Sequence, residues 1–189
     1  MARTTTNLMT SSLALGLQSS GTAVGEDTFT SVDISLKAKA TGAGGKVQGT
    51  ITSTAAAYGD GDGYVAVQNY VDPGDANFVK IKTTNVASTD GSYEQSITTF
   101  TIKNKAHGPS KHTESVKSVT IEDPPAVVSG NAALISIDAV AQGEDSLMDV
   151  QAAAFALEDR LSESSVEMIL RLEEHSTFDA ATGFDHLWI

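Results

Sequence analysis

Nine lysines lie in this 189-residue chain, all between Lys37 and Lys117. Six of them form three Lys-x-Lys pairs: Lys37 and Lys39, Lys80 and Lys82, and Lys103 and Lys105. Each pair falls in a stretch that reads as a β-strand. Side chains two apart on a strand point to one face, so each pair sets two positive charges on the same side. Such charges suit a phosphate backbone, which is bound through lysine and arginine with release of counterions. Thr99 and Thr101 share the alternation of Lys103 and add hydroxyls that can bond phosphate or sugar. Tyr58, Tyr64, Tyr70 and Tyr93 are candidate stacking groups for splayed bases, against the plainer reading that they pack in a core or interface. For any single lysine pair the plainer reading is a solvated face or the protection of a sheet edge.

No other chemistry gathers. His107, His112, His175 and His186 are scattered, with no metal-ligand spacing among them, and the His107/His112 loop reads as solvated. There is no nucleophile elbow, phosphate-binding loop or dinucleotide fingerprint. Asp60 and Asp62 sit in a Gly-Asp-Gly-Asp-Gly run with the flavour of a calcium loop. The following residues lack the further oxygens such a loop needs, and Asp-Gly is itself a turn pair. With no cysteine, neither disulfides nor thiolate sites are available. The chain is therefore expected to be no enzyme and to need no cofactor or metal.

The charge is divided along the chain. Residues 1–118 carry ten basic side chains against ten acids, and residues 119–189 carry two arginines against fourteen acids, so the net charge of −12 belongs to the last third. A lysine-studded sheet beside an acidic layer would give the molecule two electrically different sides. The length suits one domain with a substantial core. Met1 to Gly25 is broken by polar residues too often for a secretory leader. No run approaches the roughly 20 apolar residues of a membrane-crossing helix. The protein is expected to be made in the cytoplasm, without a membrane partner.

Turn clusters and alternation divide the rest. Residues 1–25 read as an arm or opening hairpin. Residues 29–141 read as antiparallel strands: Val32–Ala40 paired with Lys46–Ala55 as a hairpin, then Tyr64–Val71, Asn77–Thr84, Tyr93–Lys105, Thr113–Ile121 and Ala132–Ala141. Residues 146–175 read as two helices. Ser146 with Asp149, and Ser164 with Glu167, resemble capping boxes. Leu147, Val150, Ala154, Leu157 and Leu161 follow at helical spacing. Residues 176–189 form a tail. The expected fold is a single α+β domain: a sheet of about five to seven strands, an N-terminal arm or hairpin, and two C-terminal helices. Leu157, Leu161, Ile169 and Leu170 exceed what one small sheet face can cover, and are expected to be shared across the two-fold of an obligate dimer.

That order of elements resembles the coat proteins of single-stranded RNA bacteriophages, the levivirus type, across residues 29–178. The local likeness is best over Asn131–Phe178, a strand ALISIDAVA followed by a short acidic turn and two bent helices. The resemblance implies a homodimer that tiles an icosahedral virion shell, with its sheet facing single-stranded RNA and its helices outside. The lysines are this chain's own candidates for that contact: Lys37, Lys39, Lys80, Lys82, Lys103 and Lys105. Two other readings stand beside it. One is a different virion component, such as a tail-tube or decoration protein. The other is an extracellular β-domain binding a ligand through loops such as 59–63 or 72–75.

Overall fold

The computed structural model describes residues 8–41, 44–59, 63–104, 109–125 and 130–177. Among them the chain is all β, with ten strands in two sheets and no helix. The four-stranded sheet runs in the order β4 (Tyr64–Asp72), β1 (Leu8–Val24), β10 (Leu161–Thr177) and β9 (Asp145–Leu157). The six-stranded sheet runs β7 (Lys111–Ile121), β5 (Phe78–Ser88), β6 (Tyr93–Lys103), β3 (Gly44–Tyr58), β2 (Asp27–Thr41) and β8 (Ala132–Gln142). All neighbours are antiparallel except β2 with β8 and β5 with β7, which run parallel.

The sheets stack as a sandwich, with β4 over β3 and β6, β1 over β3 and β2, and β10 over β2 and β8. The core lies between them. Leu13, Leu15 and Leu17 of β1 and Val166, Met168, Leu170 and Leu172 of β10 meet Val32, Ile34 and Leu36 of β2, Val47 and Ile51 of β3, and Ile102 of β6. Every one of these sits at an alternate position, as a half-buried strand requires. Gly49 is fixed by its cross-strand partner Phe100: a Cβ there would come within 2.6 Å of the ring and 2.8 Å of the Ser35 carbonyl. Gly143 carries the chain from β8 into β9, where a Cβ would stand 2.9 Å from that of Ala40. Polar groups reach into the same layer. Asn69 of β4 accepts bonds from Ser19 (2.8 Å) and Ser53 (2.9 Å) and donates to the carbonyls of Ser96 (2.9 Å) and Ile51 (3.3 Å).

Residues 146–175 are therefore not two helices. They are β9 and most of β10, joined by a tight turn in which Asp159 takes a left-handed conformation (φ 55) and Arg160 N–H donates to the Leu157 carbonyl at 3.2 Å. Tertiary pairing overrides helix propensity here: β10 pairs with β1 along its whole length, and Val166, Met168, Leu170 and Leu172 alternate into the core. The N-terminal segment is likewise no loose arm, since residues 8–24 are a central strand. The helical half of the likeness to RNA-phage coats is thus absent, and the fold is all β instead of α+β.

The four apolar residues expected at a helical dimer interface do not form one surface. Leu170 is fully buried in the core (0 % exposed), whereas Ile169 beside it points outward (52 % exposed). Leu157 and Leu161 face each other across the β9–β10 turn.

A lysine-bearing sheet face as a candidate nucleic-acid interface

Directly paired residues in a sheet share a face, so the register fixes which side chains lie together. One outward row of the six-stranded sheet reads Gln142, Lys39, Lys46, Lys103, Phe78, Lys111. The next reads Val140, Lys37, Gln48, Thr101, Lys80, Thr113, and the third Asp138, Ser35, Thr50, Thr99, Lys82, Ser115. One row further down, Lys117 joins the same side. Rows two residues apart are about 6.7 Å apart along the strands, and neighbouring strands about 4.8 Å.

Five of the six lysines singled out from the sequence, Lys37, Lys39, Lys80, Lys82 and Lys103, thus occupy one face. Lys105 lies outside the described residues. Lys46, Lys111 and Lys117 complete the array, and sequence reasoning passed over them because none belongs to a Lys-x-Lys pair. Only the strand register brings them in. The reverse side of the same strands holds Ile34, Leu36, Val79, Ile81, Phe100 and Ile102. They pack against the four-stranded sheet, or at its margin, where helices were expected.

The array is electrostatically open. Arg171 and Glu173 form an ion pair (2.6 Å) on the other side of the molecule. The acids on the lysine side are Asp27, Asp33 and Asp138, of which Asp27 already accepts a 2.6 Å bond from Gly130 N–H. Lys103 is the most engaged of the set, its Nζ 5.1 Å from the centre of the Phe78 ring, a cation–π contact. Lys37, Lys39 and Lys46, with Gln48, Gln142 and Val140, line a groove of 440 Å³. That combination of ammonium and amide donors over a short apolar floor suits a phosphate group. Gln48 Nε2 donates to Thr101 Oγ1 at 3.4 Å, and Thr99 Oγ1 to the Lys82 carbonyl at 3.4 Å, so both threonines stand on this face.

The outward face of the four-stranded sheet is its electrical opposite. It carries Asp72, Asp145, Asp149, Glu163, Glu167 and Glu173 against Arg171 alone. The division of charge along the sequence becomes a division between the two faces of a sandwich.

The tyrosines do not join the lysines as a stacking platform. Tyr64 and Tyr70 are exposed on the acidic face, on β4. Tyr93 is buried, and burial, then the nearby Tyr58, raises its pKa. Tyr58 donates to the Pro125 carbonyl at 2.8 Å, with its pKa raised by burial and then by the charge of Asp90. Asp90 itself is pulled down to about 2, chiefly by the Ser88 hydroxyl and then by the amide and hydroxyl of Ser92. These groups cap the end of the sheet remote from the three lysine rows.

Of the remaining candidates, His112 sits with Nε2 3.1 Å from the Ala76 carbonyl. His107, His175, His186, Asp60 and Asp62 have no described side-chain placement. Asp72 closes its own turn by accepting from Gly74 N–H at 3.0 Å. No group of three acidic or histidine side chains among the described residues is placed to hold a metal. Comparison of the chain with protein-family models, with curated proteins and with solved structures found no match.

Proposed function

We propose that the chain is a non-enzymatic structural protein of a virion, which builds a shell from copies of itself and turns its lysine face toward packaged single-stranded RNA. One observation carries this: eight lysines from five strands stand on one face of one sheet, with the acids concentrated on the opposite face of the molecule. The reading leans on that face and not on the likeness to RNA-phage coats, whose helical half the chain lacks. Without aromatic groups among the lysine rows other than Phe78, contact is with phosphates and carries little base preference. The acidic sheet repels the same polyanion, so RNA is held on one side only.

The test is expression of the chain alone, electron microscopy of the product, and measurement of nuclease-protected RNA per subunit. Replacing Lys37, Lys39, Lys80, Lys82 and Lys103 with glutamine leaves the strands intact and reduces the protected RNA several-fold. Unchanged RNA content in the variant assemblies would show that these lysines only solvate the sheet. A tail-tube or decoration protein is the second reading, favoured by the uncovered strand edges. It would assemble equally well and retain no RNA in either form.

A further inference from the structure

Of the eleven exposed large hydrophobic residues among those described, nine lie on the four edge strands β4, β7, β8 and β9. β9 carries four of them, Leu147 (58 %), Val150, Phe155 (53 %) and Leu157. Among the described residues this thirteen-residue strand is paired on one side only, with β10, and nearly all of it is exposed on both faces. Natural edges are protected by lysine, proline, bulges or brevity. β7, the other overhanging edge, follows that rule with Lys111 and Lys117. β9 has no lysine, arginine or proline at all, and reads DSLMDVQAAAFAL.

We infer that β9 pairs antiparallel with the β9 of a second copy, about a two-fold axis passing through Gln151. The strand is self-complementary in that register. On the outward face Leu147 meets Phe155 of the mate, and Phe155 meets the mate's Leu147. On the inward face Val150 meets Ala152, Met148 meets Ala154, and Ser146 meets Ala156. Asp149 falls opposite Ala153 and Asp145 opposite Leu157, so no two acids face each other. Moving the axis by one residue breaks the match: centred on Val150 it sets Phe155 against Asp145, and centred on Ala152 it sets Phe155 against Asp149. The Gln151 register is the one of the three that brings Leu147 and Phe155 together, and it sets no like charges opposite each other.

The self-complementary register supports a second copy as the occupant, and the strand's length bounds the contact. Thirteen residues span about 43 Å, and side chains on both faces give a contact about 10 Å deep. Each partner then contributes on the order of 400 Å², about 800–900 Å² in all, the size of a weak, reversible association. β8 lies against β9 and ends the other sheet, with Leu134 and Val140 exposed. The product is a continuous eight-stranded acidic sheet. Because the axis is normal to it, both lysine faces point the same way. This extends the reading of the chain as a self-assembling protein, and it stands independently of RNA.

The chain has no cysteine, so one can be placed at will. Residues on the axis have Cα atoms about 4.5–5.5 Å apart, inside the disulfide range. Gln151→Cys under oxidised glutathione gives a covalent dimer, while Gln68→Cys on the far edge β4 stays monomeric. Light scattering of the native chain gives a dimer at micromolar concentration. Ala154→Lys, which supplies the missing edge protection, weakens it at least tenfold with the circular dichroism of the strands unchanged. A native monomer at tens of micromolar, cross-linking of Gln68→Cys, or failure of Gln151→Cys to cross-link each overturns the proposal. Titration of the monomeric Ala154→Lys chain with oligouridylate separates the two readings. Retained binding shows that only the joint was at stake, and absent binding by both native and variant chains counts against the lysine face instead.

Discussion

The lysine face makes a quantitative prediction about salt. For a single-stranded nucleic acid, the logarithm of affinity falls with the logarithm of salt concentration at a slope of about −0.7 per neutralised phosphate. Eight outward lysines on the six-stranded sheet set the ceiling, a slope of about −5.6. Raising salt from about 50 to 200 mM then weakens binding by at most about 2,000-fold. Glutamine at Lys37, Lys39, Lys80, Lys82 and Lys103 leaves Lys46, Lys111 and Lys117. The ceiling falls to a slope of about −2.1, a loss of only about twenty-fold over the same range. Lys103 contributes least to the change, since its ammonium already rests on Phe78. Fluorescence anisotropy with a labelled oligouridylate of about twenty nucleotides measures both slopes. The five substitutions lie on exposed or half-exposed outward positions, so thermal unfolding should move little. A native slope shallower than about −1, or the same slope in both chains, refutes the assignment. A slope that drops in the variant while low-salt affinity is unchanged would refute it too, because lost phosphate contacts must lower affinity as well as the number of counterions released.

Further outcomes follow from particular contacts. Leu170→Ala in the core should cost about 2–5 kcal/mol in urea unfolding. Ile169→Ala on the outward face should cost less than about 1 kcal/mol, a contrast that two C-terminal helices would not produce. Asn69→Ala removes two acceptor and two donor bonds across β1, β3, β4 and β6 and should cost about 2–4 kcal/mol. Gly49→Ala should destabilise through Phe100 and the Ser35 carbonyl, and the double change with Phe100→Leu should recover part of the loss. The folded-state pKa of Asp90 is depressed, to about 2. Its stabilisation is therefore present above the unfolded value near 3.9 and is lost as pH falls through about 2. The gap in stability between the native chain and Asp90→Asn should close over that acid range. The same substitution should lower the pKa of Tyr58 in an ultraviolet titration, because the charge of Asp90 helps to raise it.

Seven of the ten strands were legible, most of them because one face is more buried than the other, which writes apolar and polar residues alternately into the sequence; β7, exposed on both faces, was read from its β-branched residues and the turns that bound it. β2 is the clearest, with Ile34, Leu36 and Ala38 inward and Ser35, Lys37 and Lys39 outward. The three missed strands failed for different reasons. β1 does alternate at Leu13, Leu15 and Leu17, but its outward partners are small (Ala14, Gly16), and the surrounding serines and threonines resemble an unstructured arm. β10 alternates through Val166, Met168, Leu170 and Leu172, yet Ile169 sits at an outward position and completes a helical spacing by coincidence. β9 carries no alternation to find, because both of its faces are exposed. Its alanines favour a helix in isolation, and the choice falls to the long partner β10 beside it.

The two-sidedness of the molecule survived that error for a physical reason. Whether residues 146–175 coil or extend, their carboxylates must stay in water while Val166, Met168, Leu170 and Leu172 are withdrawn from it. Glu163, Glu167 and Glu173 therefore reach the far surface in either geometry, and the lysine strands keep their outward face in both. What the strands change is how copies can meet. Helices would offer an apolar stripe to interlock, whereas β9 offers a strand edge that no other described strand pairs with, and Leu147 and Phe155 spaced to answer each other. Pairing by that edge adds no lysine contact and costs none. It sets sixteen lysines, eight from each copy, on one side of a single body and leaves the acids on the other. On the proposed reading such an assembly would bind a polyanion on one surface only, and Ala154→Lys and the five glutamines should remove the dimer and the RNA contact separately.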